Sequence, residues 1–221
     1  MRKINIVMKI KNLLFIAVLA FPFIVSCSSP KTIDLFNGKD LSGWIPVVEN
    51  DAVPAGDVFW VEDGVIRIAG QPFGYIYTED VYTDYTLDVE WSWPGEPANS
   101  GIFLIIADPT NPFPNGVECQ LKAGSAGDFV LLGGSDLKEY ELPADGVRPQ
   151  FPVKPRFAAS SELPAGEWNH AKIIVEGGHI TVYVNDVLQN EGTDPCTSGH
   201  IGLQSEGGPI AFRSVKITPA K

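Results

Sequence analysis

The sequence predicts an all-β protein folded as a sandwich of two antiparallel sheets. Three observations carry this. At least nine short apolar runs read with strand spacing. Gly and Pro, 22 and 18 of the 221 residues, cluster between those runs as turn signals. No stretch combines a helical period with capping residues at its ends.

Residues 1–26 stand apart from that pattern. Arg2, Lys3, Lys9 and Lys11 precede an apolar run from Leu13 to Val25, the layout of a secretory signal. The run falls short of the ~20 residues a spanning helix needs. Its ending, Ile24-Val25-Ser26-Cys27, resembles a bacterial lipobox, which implies a lipid on Cys27. The expected division is a signal peptide over 1–26, a lipid-anchored linker over 27–32 and one sandwich domain over 33–221. The expected location is the bacterial cell envelope, with the membrane touched through the anchor only.

The strands follow in order. Residues 59–68 alternate around Asp63-Gly64, a dipeptide that accepts the positive φ of a tight hairpin. Residues 85–93 have period two, with Leu87, Val89 and Trp91 facing one way and Asp88 and Glu90 the other. Residues 101–107 form an unbroken apolar run, the mark of a central strand buried on both faces. Strands are also expected at 117–122, 171–175 and 179–184, the last closed by Asn185-Asp186, and at 201–204 and 210–217. Between them, residues 123–167 hold five prolines and only weak strand signals, near 129–132 and 140–142. Connections this long usually bind, cover or order something, and this one is expected to wall the concave face of a sheet.

Charge narrows the partners. The chain carries a net −11; without Arg2, Lys3, Lys9 and Lys11, 12 basic residues face 27 acidic ones. Such a surface repels phosphate backbones, and nucleic acid is not an expected partner. Cys119 and Cys196 leave open one disulfide or two free thiols, and no zinc spacing appears.

Strand parity places the functional candidates. Glu118, Gln120 and Lys122 share one face of their strand, and His200, Gln204 and Glu206 share one face of another. Polar rows like these are too costly for a dry core without partners. If both strands join one sheet, the rows form a single groove floor. Gly207-Gly208-Pro209 is expected to turn the chain back so that Arg213 returns on the partner strand of a hairpin. Tyr75 and Trp93, next to Gly74 and Pro94, are candidates for stacking at the groove rim, and Asn99 for a supporting turn or direct contact. An amide, carboxylate and guanidinium set of this kind suits a polyhydroxylated carbohydrate ligand.

Several blocks together resemble the 3-keto-disaccharide hydrolases. They are residues 35–44 (LFNGKDLSGW), 82–90 (YTDYTLDVE), 99–103 (NSGIF), 117–120 (VECQ), 164–169 (PAGEWN), 199–204 (GHIGLQ) and Phe212-Arg213. The resemblance covers about residues 33–218 and implies a concanavalin-like jelly roll acting on glycosides oxidised to a ketone at C3. The sequence departs from the pattern after Gln204, with Ser205-Glu206-Gly207 where the family commonly has Asp-His-Gly.

A C3 carbonyl acidifies the C2 proton, so a base can remove it and expel the C1 oxygen. Water then adds back, and the net reaction is hydrolysis. The chemistry needs a carboxylate or imidazole near C2 and donors for the enolate oxygen. Glu118 or Glu206 is the expected base, with Gln120, Gln204 and Arg213 as positioning or oxyanion groups. A divalent ion is the alternative electrophile to Arg213, although no cluster in the sequence fixes its ligands. The Glu-x-Asp-x-x-Glu motif of retaining glucanases is missing, which disfavours a conventional two-carboxylate glycosidase. A carbohydrate-binding sandwich without turnover is the alternative from a different class.

Overall fold

In the computed structural model, residues 30–109 and 113–220 are described. They form fifteen strands and two short 3₁₀ turns, with no α-helix among the described residues. One sheet runs, in spatial order, β13 (Val187–Thr193), β12 (His179–Val184), β11 (Asn169–Glu176), β6 (Tyr85–Ser92), β15 (Ile210–Pro219), β4 (Val65–Ile68) and β3 (Phe59–Glu62). β1 (Ile33–Asp34) also pairs with β15. The other sheet runs β10 (Val153–Lys154), β9 (Phe129–Leu132), β8 (Asn115–Gln120), β7 (Gly101–Asp108), β14 (His200–Ser205), β5 (Gly74–Thr78) and β2 (Trp44–Val48). Every pairing between these strands is antiparallel.

Alternation decides which face each strand buries. In β6, Leu87, Val89 and Trp91 are fully enclosed while Asp88 and Glu90 look outward. They pack with Ile173 of β11 and Phe212 of β15 against Ile102 and Leu104 of β7, Val117 and Cys119 of β8, and Ile201 and Leu203 of β14. Each enclosed aliphatic side chain contributes about 1.5–3 kcal/mol by leaving water. Asp63 and Gly64 turn β3 into β4 with φ of 52° and 75°, and Asn185 and Asp186 turn β12 into β13 with 48° and 65°. These are the left-handed values such dipeptides tolerate. Cys119 and Cys196 are free thiols, the first in the core and the second donating to Ser198 O at 3.3 Å.

The second sheet is covered on its outer face as well. Tyr75, Phe103, Ile106, Val130 and Leu132 form a separate buried apolar cluster there, which is why β7 reads as apolar throughout. The proline-rich segment after β8 supplies part of the cover. It contributes β9 and β10, while residues 140–142 are not strand. Polar side chains pin it down. Asn190 Nδ2 donates to Gly127 O and Lys154 O at 3.1 and 3.0 Å, and its Oδ1 accepts from Lys154 Nζ at 2.8 Å. Arg148 donates to Ser135 O at 2.8 Å, and Gln189 Nε2 to Ala159 O at 3.2 Å.

Candidate active site

With Val117 and Cys119 in the core, parity sends Glu118 and Gln120 to the outer face of the second sheet. β7 lies between β8 and β14, its Phe103 opposite both Glu118 and Gly202. Gln204 in turn pairs with Tyr75 of β5. Two rows far apart in the chain thus stand one strand apart. Asn99, Glu118, Gln120, Gln204 and Glu206 line one cavity of about 450 Å³.

The segment Asn99-Ser100-Gly101 joins the rows. Ser100 Oγ donates to Gln204 O at 2.8 Å, and the Asn99 side chain hydrogen-bonds the Glu206 carboxylate. Gly101 leaves a space that Glu118 fills: a Cβ at 101 would collide with Glu118 Oε1, Cγ and Cδ. The carboxyl therefore folds across β7 toward β14. Gln204 Nε2 donates to Glu206 Oε2 at 2.8 Å. Gln120 Oε1 accepts from the N–H of Leu121 and Lys122 at 3.1 and 3.0 Å, which turns its Nε2 donor away from that backbone.

The two carboxyls differ in environment. Glu118 is 2% exposed, and burial, with the nearby Glu206 charge as a lesser cause, holds its pKa well above the usual carboxylate range. Burial therefore favours its protonated, uncharged form. Burial also raises Glu206, but hydrogen bonds from Asn99 and Gln204 and the charge of Lys122 oppose it. The two carboxyls are thus unlike: the charge is opposed more strongly on Glu118 than on Glu206. Asn99 Oδ1, Glu118 Oε1 and Gln204 Oε1 are buried without a hydrogen-bond partner in the protein. Orphaned buried acceptors are rare and costly, and here three lie at one cavity.

The other sequence candidates fall elsewhere. Lys122 lies just past β8, exposed, and acts on Glu206 through its charge. His200 occupies the same face as Gln204 but outside the cavity lining; its Nδ1 meets Thr78 O at 2.8 Å and its ring packs edge-on to Tyr77. Tyr75 is not at a rim: it is fully buried beside Phe103, with its hydroxyl unpartnered and its pKa pushed up by burial. Trp93 is buried against Trp91 in the core. Arg213 is on the other sheet. The chain crosses between sheets at Gly207–Pro209 instead of forming a hairpin, because β14 pairs with β5 and β7 while β15 pairs with β6 and β4. Arg213 there forms an ion pair with Glu90 and lies 4.6 Å over the Trp168 ring.

Sequence parity missed the apolar wall. Phe73, Phe113 and Phe151 line the cavity with Gln150, Val130, Leu132 and Val153. Within residues 33–221 these three are the phenylalanines that adjoin a proline, a loop signal that separates them from those in strands. Among the described residues, no group of three or more His, Cys, Asp or Glu side chains could hold a metal ion.

A two-sheet sandwich with two unlike carboxyls and the amides of Asn99, Gln120 and Gln204 lining one cavity suits a carbohydrate ligand. The family described as a 3-keto-alpha-glucoside-1,2-lyase-like domain matches residues 31–218, and the chain belongs to that family. A Bacteroides thetaiotaomicron protein named 3-keto-disaccharide hydrolase is 27% identical over 227 residues, covering 84% of this chain and 77% of the relative. A crystal structure from Parabacteroides distasonis, provisionally described as a glycosyl hydrolase, is 26% identical with a TM-score of 0.61, covering 86% of this chain and all of that one. The Bacillus licheniformis β-glucanase shares the fold, with a TM-score of 0.57 at 14% identity over 88% of this chain and 100% of its own. These findings support a glycosidase-like activity on 3-keto-disaccharides and place the sandwich in the glucanase and jelly-roll class.

Proposed function

We propose that the protein cleaves the glycosidic bond of 3-keto-glycosides by elimination and water addition, with Glu206 as base and Glu118 as acid. The observation that supports this best is the set of three orphaned acceptors, on Asn99, Gln204 and the buried Glu118 itself. Hydroxyl donors of a sugar would satisfy them, and the acid keeps a proton to give.

The steps balance without another reagent. Glu206 takes the C2 proton, which the C3 ketone has acidified, and the C1–O bond breaks. The departing oxygen receives the proton of Glu118, while Gln120 Nε2 is the donor suited to the enolate oxygen. Water then adds to C1 of the enone, returning a proton to Glu118, and C2 takes up a proton from Glu206, whose carboxyl has exchanged with solvent. Arg213 takes no part. The lipid anchor on Cys27 and the envelope location complete the reading; Cys27 and residues 1–26 lie outside the described residues, and mass spectrometry of the N-terminal peptide from membranes tests the anchor.

Turnover of a 3-keto-glucoside by Glu206→Gln and Glu118→Gln tests the proposal. Loss of ~10²–10⁴ in kcat is expected for each, the usual worth of general acid–base catalysis. Near wild-type turnover in both would refute it. Ligand binding by the wild type without any release of product would make the domain a binding module.

A further inference from the structure

The cavity has two chemical halves. Asn99, Gln204, Glu206, Glu118 and Gln120 stand around β14, β7 and β8. Val130 lies directly opposite Glu118 on β9, and Val153 opposite Val130 on β10. The surface therefore turns apolar one strand away from the acid and stays so to the sheet edge. Phe73, Phe113 and Phe151 continue it as adjoining rings, with centroids 5.4 and 5.2 Å apart at successive contacts. Phe73 precedes β5 and Phe151 precedes β10, so the three rings bridge the face from one side to the other. Gln150 is the polar side chain this half adds to the lining.

We infer that this aromatic half receives an apolar or aromatic aglycone, so that a 3-keto-glucoside of an aryl or arylalkyl alcohol is turned over in preference to a 3-keto-disaccharide. The inference rests on the function proposed above and names its leaving group. The polar half offers three amides and two carboxyls, Asn99, Gln120, Gln204, Glu118 and Glu206, to the hydroxyls of one pyranose. A second sugar would carry its shell of hydroxyls against Val130, Leu132, Val153 and the phenylalanines, and buried hydroxyls without partners weaken binding. A flat apolar group gains from the same walls, because aromatic pairs add tilted or edge-on stacking to simple burial. Glu118 sits at the boundary between the halves, where the bond to be broken would lie.

The test compares benzyl 3-keto-glucoside with a 3-keto-glucosyl-glucose of the same linkage, each as both anomers. Benzyl alkoxide leaves no more readily than a sugar alkoxide, so a benzyl preference in kcat/KM reports recognition and not leaving-group ability. The wild type is expected to favour the benzyl compound about tenfold or more. Phe151→Ala should bring that ratio down severalfold; Phe151 is 37% exposed, and an unchanged urea midpoint verifies that the variant folds. A preference below about threefold, or a ratio that Phe151→Ala leaves at its wild-type value, overturns the aglycone assignment while the keto-glycoside function stands. No turnover of either compound, in either anomer, removes both.

Discussion

Gly101→Ala isolates the positioning of Glu118 from its chemistry. The backbone at 101 is an ordinary strand with no positive φ, so alanine brings no conformational strain. Its one effect is the added methyl, which would overlap Glu118 Oε1, Cγ and Cδ. The carboxyl must leave its place across β7. It is the end of a flexible side chain, so the stability cost should fall at the low end of overpacking, about 1 kcal/mol. Activity should suffer far more, because a misplacement of ~1 Å at a reacting group can cost ~10²-fold. Urea unfolding reads the first quantity, and kcat on a 3-keto-glucoside the second. Adding Glu118→Ala removes the clash, so the two substitutions should couple by ~1 kcal/mol or more in stability. A Gly101→Ala protein with wild-type midpoint and wild-type kcat would show that Glu118 does not act from the position described.

Three further outcomes follow from the geometry. Turnover should have a bell-shaped dependence on pH, since Glu206 must be ionised and Glu118 protonated; both limbs belong to the coupled pair, and the acid limb should lie above the ordinary carboxylate range. Glu118 also links folding to pH. Its folded pKa is raised, so its contribution is fully present below the unfolded value near 4.5 and is lost as pH rises through the folded value. Glu118→Gln should flatten that part of the stability profile, and an unchanged slope in urea midpoints between pH 5 and 9 would contradict the burial argument. Arg213→Ala should change kcat/KM by less than about threefold and stability by ~1 kcal/mol or less, because its partner Glu90 is at the surface; a hundredfold loss of activity would return Arg213 to the site.

Local rules made much of the fold legible. Asp63-Gly64 and Asn185-Asp186 fixed two hairpins because their backbone angles are a local matter. The parity of residues 85–93 separated core from surface because one face of β6 is wet. Parity likewise put Glu118 with Gln120, and Gln204 with Glu206, on outward faces. Sheet membership is not local. Nothing near Gly207-Gly208-Pro209 distinguishes a turn within one sheet from a crossing between two, and only the strand pairings put Arg213 on the other sheet. Tyr75 reads as a rim residue because it adjoins Gly74; its burial in one cluster with Phe103, Ile106, Val130 and Leu132, against Phe113, depends on segments far away in sequence. The role of Gly101 could not be read either, since it lies in the space the residue leaves for a side chain on the next strand.

In the proposed reaction a base removes the C2 proton before water adds to C1, and C2 is reprotonated afterwards. Glu206 is half-buried, so a proton held on its carboxyl can exchange with solvent while the leaving group departs. Hydrolysis of a 3-keto-glucoside in D₂O, sampled early and corrected for spontaneous exchange, should therefore yield 3-keto-glucose with one deuterium at C2. Product carrying only its original C2 hydrogen would mean direct displacement at C1, and the proposed chemistry would be wrong.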